Sequence, residues 1–256
     1  MRTALADGLP VVLVEPDDGV MRRPLVLWLT HLGGSKEQTL PMLERFAAAG
    51  HPAVSFDPPD HGERGDDQDP WQLAARVLAR FRQLMWPLLA RTTLESLRVL
   101  DWACAELGVD GDVVAGGVSM GGDVAVALAG IDARVSRVAA AVATPDWARP
   151  GMTELGAPDK LVDQGTADRY AAFLREQLDP MLNLDRYARG PAIAFECADA
   201  DTHVPPDGAE RFRAALVERH PDVGERIVVT RRAGLDHLGG ARDPELLGAC
   251  ARWLTG

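Results

Sequence analysis

The sequence has no excess of basic residues. Its 27 lysines and arginines stand against 38 aspartates and glutamates, which gives a formal net charge of −11 over 256 residues. A protein that binds nucleic acid needs a basic surface to neutralise phosphates, and one that docks on anionic lipid needs basic clusters. The charge balance therefore argues against both classes, and we expect neither a nucleic-acid partner nor a membrane partner.

Cysteine is also scarce. The three cysteines, Cys104, Cys197 and Cys250, lie far apart, and no C-x-x-C or Cys/His spacing suggests a zinc site. No stretch reaches the ~18 apolar residues of a membrane span. The first ten residues, MRTALADGLP, lack the apolar run of a signal peptide. We therefore expect a reduced, cytoplasmic protein that holds no metal.

Short apolar runs alternate with longer helical stretches along the chain. This alternation predicts a single α/β domain, 1–256, with a mostly parallel central sheet and helices on both faces. Pro87 is predicted to separate two of the helices, and the second begins with a capping-box spacing at 92–95. The segment 145–190 contains no clear strand and is predicted to be a small helical insertion, or lid, over the sheet. Strands are predicted at 11–14, 25–29, 53–56, 112–118, 135–142, 192–197 and 226–230, and helices at 37–49, 72–85, 94–107, 120–129, 208–218 and 244–254.

The most specific motif is GVSMGG at 117–122, which follows an apolar strand and opens an Ala-rich helix. This is the context of a G-x-S-x-G nucleophile elbow. Ser119 would lie on a tight strand-to-helix turn, and Gly117 and Gly121 would let neighbouring elements approach closely. The backbone N–H of Met120, at the positive end of the helix, would donate to an oxyanion. The motif therefore predicts a nucleophilic serine.

A serine hydroxyl needs a general base and an acid that orients it. Each is predicted in a loop that follows a strand, in the chain order Ser, Asp, His. His237 is the candidate base, in a loop just before the final helix. Asp201 is the favoured acid, with Asp199 as the alternative. His203, in the same loop as these acids, is predicted to face solvent.

Together, the elbow, the D-x-x-V-P stretch at 201–205 and the late histidine resemble the α/β-hydrolase fold. More narrowly, LTHLGGSKE at 29–37 and DPPDHGER at 57–64 resemble the dienelactone-hydrolase and prolyl-oligopeptidase-like bacterial esterases. The resemblance implies a second oxyanion donor in the loop after the strand 25–29. We expect that donor to be Leu32, because the S-K-E residues then align without a gap; it would be Gly33 if His31 were the shifted family histidine. His31 then either contacts substrate or fills space.

The loop 57–69 is rich in acids but is not expected to bind metal. The resemblance implies that His61, Gly62 and Arg64 brace the rim of the site. The remaining acids are predicted to form a solvated loop. They are Asp57, Asp60, Asp66, Asp67 and Asp69.

The predicted function is hydrolysis of a small-molecule carboxylic ester through a Ser-His-Asp triad and an acyl-enzyme, without a cofactor. The predicted assembly is a monomer or a homodimer. Trp147, Met152, Tyr170 and Phe173, all in the insertion, are candidates to line the substrate pocket or to form the core of the insertion. The alternatives on the same triad are a thioesterase, an amide or peptide hydrolase, a C–C bond hydrolase and an acyltransferase. A catalytically silent binding protein is the alternative from another class.

Overall fold

The computed structural model describes residues 1–17, 24–66, 69–109 and 111–256. Asp67 of the acidic loop lies outside these residues. The strands are β1 Arg2–Ala6, β2 Leu9–Val14, β3 Leu25–Leu29, β4 Ala53–Phe56, β5 Val113–Val118, β6 Val135–Ala141, β7 Thr153–Glu154, β8 Ala157–Leu161, β9 Ala192–Ala198 and β10 Ile227–Arg232. The helices are α1 Leu40–Ala48, α2 Pro70–Ala79, α3 Phe81–Leu107, α4 Met120–Ile131, α5 Arg169–Leu178, α6 Asp207–Arg219, α7 Pro221–Gly224, α8 His237–Arg242 and α9 Pro244–Thr255.

Eight strands form one sheet in the order β1-β2-β4-β3-β5-β6-β9-β10. β1, β2 and β4 pair antiparallel, and the pairs from β4 to β10 are parallel. The central strands β3 and β5 are apolar runs because helices cover both faces of the sheet. α1 and α9 pack on one face, and α2 to α7 pack on the other. The parallel arrangement brings the carboxyl ends of β3, β5, β9 and β10 to one edge, where such sheets place their sites.

The prediction that Pro87 separates two helices is wrong. α3 runs through it without interruption for 27 residues. The hydroxyls of Thr92 and Thr93, predicted to cap a new helix, instead donate to the carbonyls of Leu88 and Leu89 at 2.7 and 2.8 Å within the same helix. Proline removes one backbone hydrogen bond and crowds the preceding turn. The residues around it, from Met85 to Ala90, are all buried, and this burial opposes the cost.

The insertion 145–190 is not purely helical. β7 and β8 pair as a small antiparallel sheet that the sequence did not predict, and α5 follows them. α5 begins at Asp168, whose carboxylate accepts from the N–H of Ala171 at 2.8 Å. Ala171, Leu174 and Leu178 form the buried side of α5, which packs against α3. The insertion is therefore attached to the face of the sheet that carries α3 and α4.

Across the described ranges, with gaps at 18–23, 67–68 and 110, no helix has both the length and the apolarity that crossing a bilayer requires.

Candidate active site

Ser119 occupies the turn between β5 and α4. Its backbone has φ 52° and ψ −118°, which is a conformation that residues with a side chain rarely adopt. Such strain persists only where the surrounding structure imposes it, and it is concentrated at functional sites. The turn therefore fits the nucleophile elbow that the sequence predicts.

Glycines on both sides of the serine make this turn possible. A Cβ on Gly117 would lie 2.5 Å from the carbonyl carbon of Gly121, and one on Gly121 would lie 2.4 Å from the carbonyl oxygen of Leu29. Both distances are far below van der Waals contact. β5, β3 and the start of α4 thus approach so closely that only glycine fits at these two positions.

The serine is the first member of a buried series of hydrogen bonds. Ser119 Oγ donates to His237 Nε2 at 3.1 Å, and His237 Nδ1 donates to Asp201 Oδ2 at 2.7 Å. All three residues are buried. His237 is the first residue of α8 rather than a loop residue as predicted, and the N-terminus of that short helix is capped by Asp236. This is the geometry that a nucleophile, a general base and an orienting acid require.

Asp201, and not the alternative Asp199, accepts the hydrogen bond from His237. The second oxygen of Asp201 accepts from the backbone N–H groups of His203 and Val204 at 2.9 and 2.7 Å. The Asp199 carboxylate is half exposed and pairs with Arg231 at 3.3 Å. A single turn therefore places Asp201 toward the site and Asp199 toward the surface.

His203 is only partly exposed, and its ring does not extend into solvent as the sequence predicts. Its ring packs edge-on against that of His237, with centroids 5.1 Å apart and an interplanar angle of 61°. Burial, together with the charges of His237 and Arg149, lowers the pKa of His203 to about 4. The sequence carries no signal for this contact, because it depends on the carbonyl of Thr153 in the insertion, which binds His203 Nδ1 at 2.9 Å.

The loop after β3 contains both candidates for the second oxyanion donor. The N–H of Gly33 donates to His61 Nε2 at 2.9 Å. The N–H groups of Leu32 and Met120 have no hydrogen-bond partner among the described residues. Desolvation and the nearby charges of His237 and Arg242 lower the pKa of the exposed His31. His31 therefore lies close to His237, on the side of the oxyanion loop.

His61 is fixed as a hydrogen-bond acceptor for this loop. Its Nδ1 donates to the carbonyl of Pro59 at 2.8 Å, so its Nε2 is free to accept from Gly33. Burial lowers the pKa of His61, which is consistent with the neutral form. His61 also lines a cavity of about 310 Å³ beside Gly33, and six of the nine other lining residues have polar side chains. The rim residue implied by the resemblance thus contacts the oxyanion loop directly.

Asp57 is not part of a solvated loop, and that prediction is wrong for this acid. Its carboxylate is fully buried and accepts from the N–H and the ammonium of Lys36 at 2.8 and 2.9 Å, and from the N–H of Glu63 at 3.0 Å. The Lys36 side chain is itself only 1% exposed. This ion pair fastens the segment after the oxyanion loop to the segment that contains His61. The other described acids, Asp60, Asp66 and Asp69, are exposed as predicted.

The four insertion residues predicted as pocket candidates separate into two pairs. Trp147 and Met152 are 0% and 2% exposed and belong to the core; Trp147 also accepts a hydrogen bond from the indole of Trp86 through its carbonyl. Tyr170 and Phe173 are 57% and 59% exposed on α5. The structure therefore does not bring these four side chains together.

In the part of the chain that the structure describes, no cluster of three or more His, Cys, Asp or Glu side chains could hold a metal ion. All three cysteines are free. Burial raises the pKa of each thiol, to about 12 for Cys197, so none of them has the character of a reactive thiolate.

Solved structures of similar architecture cover nearly the whole chain. TT1662 from Thermus thermophilus matches with a TM-score of 0.74 and 24% identity over 100% of both chains. Est1E from Butyrivibrio proteoclasticus, solved with ferulic acid, has a TM-score of 0.63 and 16% identity over 98% of this chain and 97% of its own. Apo esterase 2 from Thermogutta terrifontis has a TM-score of 0.63 and 19% identity, over 98% and 91%. The chain has the α/β-hydrolase fold, as the resemblance implies.

No family model matches the chain, and no curated protein sequence matches it.

Proposed function

We propose that the protein is a serine hydrolase that cleaves carboxylic esters of small molecules through an acyl-enzyme. The observation that carries the proposal is the series Ser119–His237–Asp201, with hydrogen bonds of 3.1 and 2.7 Å, placed on a serine whose backbone φ is 52°. Two of the structural neighbours are esterases, which favours an ester bond. Fold alone does not give function, so the argument depends on the site.

In the proposed reaction, Ser119 Oγ attacks the acyl carbonyl while its proton passes to His237 Nε2. Asp201 keeps the proton on Nδ1 and stabilises the imidazolium. His237 then gives its new proton to the departing alkoxide oxygen, so the alcohol leaves neutral and an acyl-serine remains. Water attacks this ester, again through His237, and releases the acid. Protons balance over the cycle, and no cofactor is required.

The developing oxyanion is assigned to the N–H groups of Leu32 and Met120. The hydrogen bond from Gly33 N–H to His61 supports Leu32 over Gly33, because a donor already engaged by a buried histidine is not available to the substrate. Preorganised backbone donors of this kind typically contribute about 10²–10³ each to turnover. His61 would act here as a positioning residue that holds the Gly33 peptide.

Labelling with a fluorophosphonate probe tests the nucleophile. Wild-type protein should be labelled once, and Ser119→Ala should not be labelled. Ser136→Ala is the matched control, because Ser136 lies on β6 with its hydroxyl bonded to the carbonyl of Val113; it should label as wild type does. Label retained by Ser119→Ala would overturn the assignment.

Kinetics on matched short-chain esters, thioesters, anilides and lactones test the bond type. We expect kcat/KM to be highest for esters and to fall by about 10⁶ in Ser119→Ala. Partitioning of the acyl-enzyme between water and added alcohol separates a hydrolase from an acyltransferase. A thioester or anilide preference would replace the ester proposal and keep the triad.

A further inference from the structure

His203 lies beside the proposed triad, and the mechanism gives its side chain no role. Its backbone N–H donates to Asp201, its ring packs against His237, and its Nδ1 binds the carbonyl of Thr153. Two further hydrogen bonds attach the insertion at this point. The N–H of Thr153 donates to the carbonyl of Thr202 at 2.8 Å, and the hydroxyls of Thr153 and Thr202 are hydrogen-bonded at 2.6 Å. The orientation of the His203 ring is therefore fixed.

These contacts determine which nitrogen of His203 carries the proton. A backbone carbonyl can only accept a hydrogen bond, so Nδ1 is protonated. In a neutral imidazole, Nε2 is then an acceptor without a hydrogen. Burial and the neighbouring charges of His237 and Arg149 lower the pKa of His203 to about 4, so the ring is neutral at pH 7.

This acceptor has no partner within the protein. No described residue donates to His203 Nε2. The buried side-chain polar atoms that lack a partner, among the residues described, are Thr30 Oγ1, Ser55 Oγ, Trp147 Nε1, Arg149 Nε and Trp253 Nε1. His203 Nε2 is not one of these, and the residue is only partly buried, so this nitrogen is reachable from solvent.

The position of His203 relative to His237 indicates what reaches this nitrogen. His237 Nε2 must come within hydrogen-bond distance of the leaving oxygen in order to protonate it. His203 contacts the His237 ring from the Asp201 loop and the insertion, not from the loop after β3 that is assigned the oxyanion, so the leaving half of the substrate is the part that can reach it. We infer that His203 Nε2 accepts a hydrogen bond from a hydroxyl or amide N–H of the leaving group. The favoured substrates are then esters of alcohols that carry a second donor close to the scissile oxygen. This inference rests on the proposed function.

Three butyrate esters test the inference. The 2-hydroxyethyl ester carries the donor, the propyl ester is nearly isosteric without it, and the 2-methoxyethyl ester keeps an oxygen at that place without a donor hydrogen. We expect kcat/KM for the hydroxyethyl ester to exceed that for each of the others by about 3- to 10-fold, the usual range for one neutral hydrogen bond.

Two variants separate the contacts of His203. His203→Phe keeps a ring against His237 and removes both nitrogens. His203→Asn keeps an amide N–H that can donate to Thr153, but its shorter side chain places no acceptor at the position of Nε2. Both should hydrolyse all three esters with equal kcat/KM. Thr153→Val removes the threonine hydroxyl bond and leaves Nε2 in place, so it should keep the wild-type preference.

Equal rates on the three esters by wild-type protein would overturn the inference and leave the proposed function intact. A preference that survives in both His203 variants would also overturn it. A loss of kcat by the same factor on all three esters in the His203 variants would mean that His203 orients the hydrolytic water instead, and this result would overturn the inference. Absence of Ser119-dependent hydrolysis of the propyl ester would overturn the proposed function, and the inference with it.

Discussion

The carboxyl edge of the sheet and the insertion beside it are held in different ways. At the edge, backbone meets backbone so closely that Gly117 and Gly121 cannot carry a Cβ. The insertion is held by a few separate hydrogen bonds and ion pairs, such as that of Arg149 to Asp123, and it keeps Tyr170 and Phe173 more than half exposed. We therefore expect the edge to tolerate no added side-chain atoms at these glycines. We expect the insertion to tolerate many substitutions, except at the few residues that attach it to the rest of the protein.

The largest effect is expected at Arg149, which makes the strongest bond between the two regions. Arg149 and Asp123 form an ion pair with side chains 2% and 0% exposed. Removing one partner of a buried pair costs about 3–5 kcal/mol because the other charge stays buried. Arg149→Met should lower the free energy of unfolding by this amount in urea titrations.

The double variant Asp123→Asn/Arg149→Met is the control for this pair. It should recover most of the loss, because no charge remains buried. A single Arg149→Met variant within about 1 kcal/mol of wild type would contradict the view that this pair anchors the insertion.

Gly121→Ala tests the steric constraint at the edge. Its Cβ would overlap the carbonyl oxygen of Leu29 at 2.4 Å. We expect a loss of about 3 kcal/mol because the added methyl group overpacks this junction. Gly156→Ala in the insertion is the matched control: its φ of +77° is strained for alanine, but no atom lies within 4 Å of the added Cβ, so about 1 kcal/mol should be lost. Equal losses in chemical denaturation would remove the contrast between the regions.

His203 lies where the two regions meet, and its titration makes the free energy of unfolding depend on pH. Its pKa is about 4 when folded and has an ordinary value of 6.5. The unfolded chain therefore takes up a proton first as pH falls, and stability is lost between pH 6.5 and 4. After allowance for partial exposure, we expect about 2 kcal/mol of loss from this residue.

His203→Phe should remove that part of the acid sensitivity. The difference in unfolding free energy between wild type and variant, measured at pH 7 and pH 4, should shift by the same ~2 kcal/mol. A difference that stays constant over this interval would mean that the ring is not desolvated by the insertion.

The smallest effect is expected on the outer side of α5. Phe173 is 59% exposed, so Phe173→Ser should change stability by less than about 0.5 kcal/mol. Leu174→Ala, one residue further and 8% exposed, should cost about 2–5 kcal/mol. Thermal unfolding of the two variants checks this. A large loss at Phe173 would show that this side of α5 is covered by another surface.

The elements that the sequence predicted well are those determined by local chemistry. The strand, turn and helix around Ser119 follow from GVSMGG and its apolar flanks, and the positions of His237 and Asp201 follow from chain order after strands. Two features depend on distant packing and could not be predicted. α3 continues through Pro87 because its neighbours are buried, and His203 turns inward because the carbonyl of Thr153, 50 residues away, accepts a hydrogen bond from its Nδ1.

The failed prediction for Asp57, beside the loop after β3, has the same physical origin. The acidic composition of 57–69 suggested a solvated loop, but Asp57 is buried because Lys36 supplies an ammonium and an N–H from another segment. The resemblance left Leu32 and Gly33 open as donors. The hydrogen bond between Gly33 and His61, which no spacing in the sequence indicates, supports the proposed choice of Leu32.

Helix α4 has a consequence for the order in which the chain folds. Eleven of its twelve residues, Met120 to Gly130, are buried, and Asp123 is its only charged residue. A helix without a polar side is not stable in water, so α4 forms only as the strands and helices that pack against it assemble. The counter-charge for Asp123 comes from Arg149, which is translated later. A ribosome-bound chain that ends before the insertion therefore exposes an apolar helix with an unpaired carboxylate, and we expect such truncated chains to aggregate or to recruit chaperones.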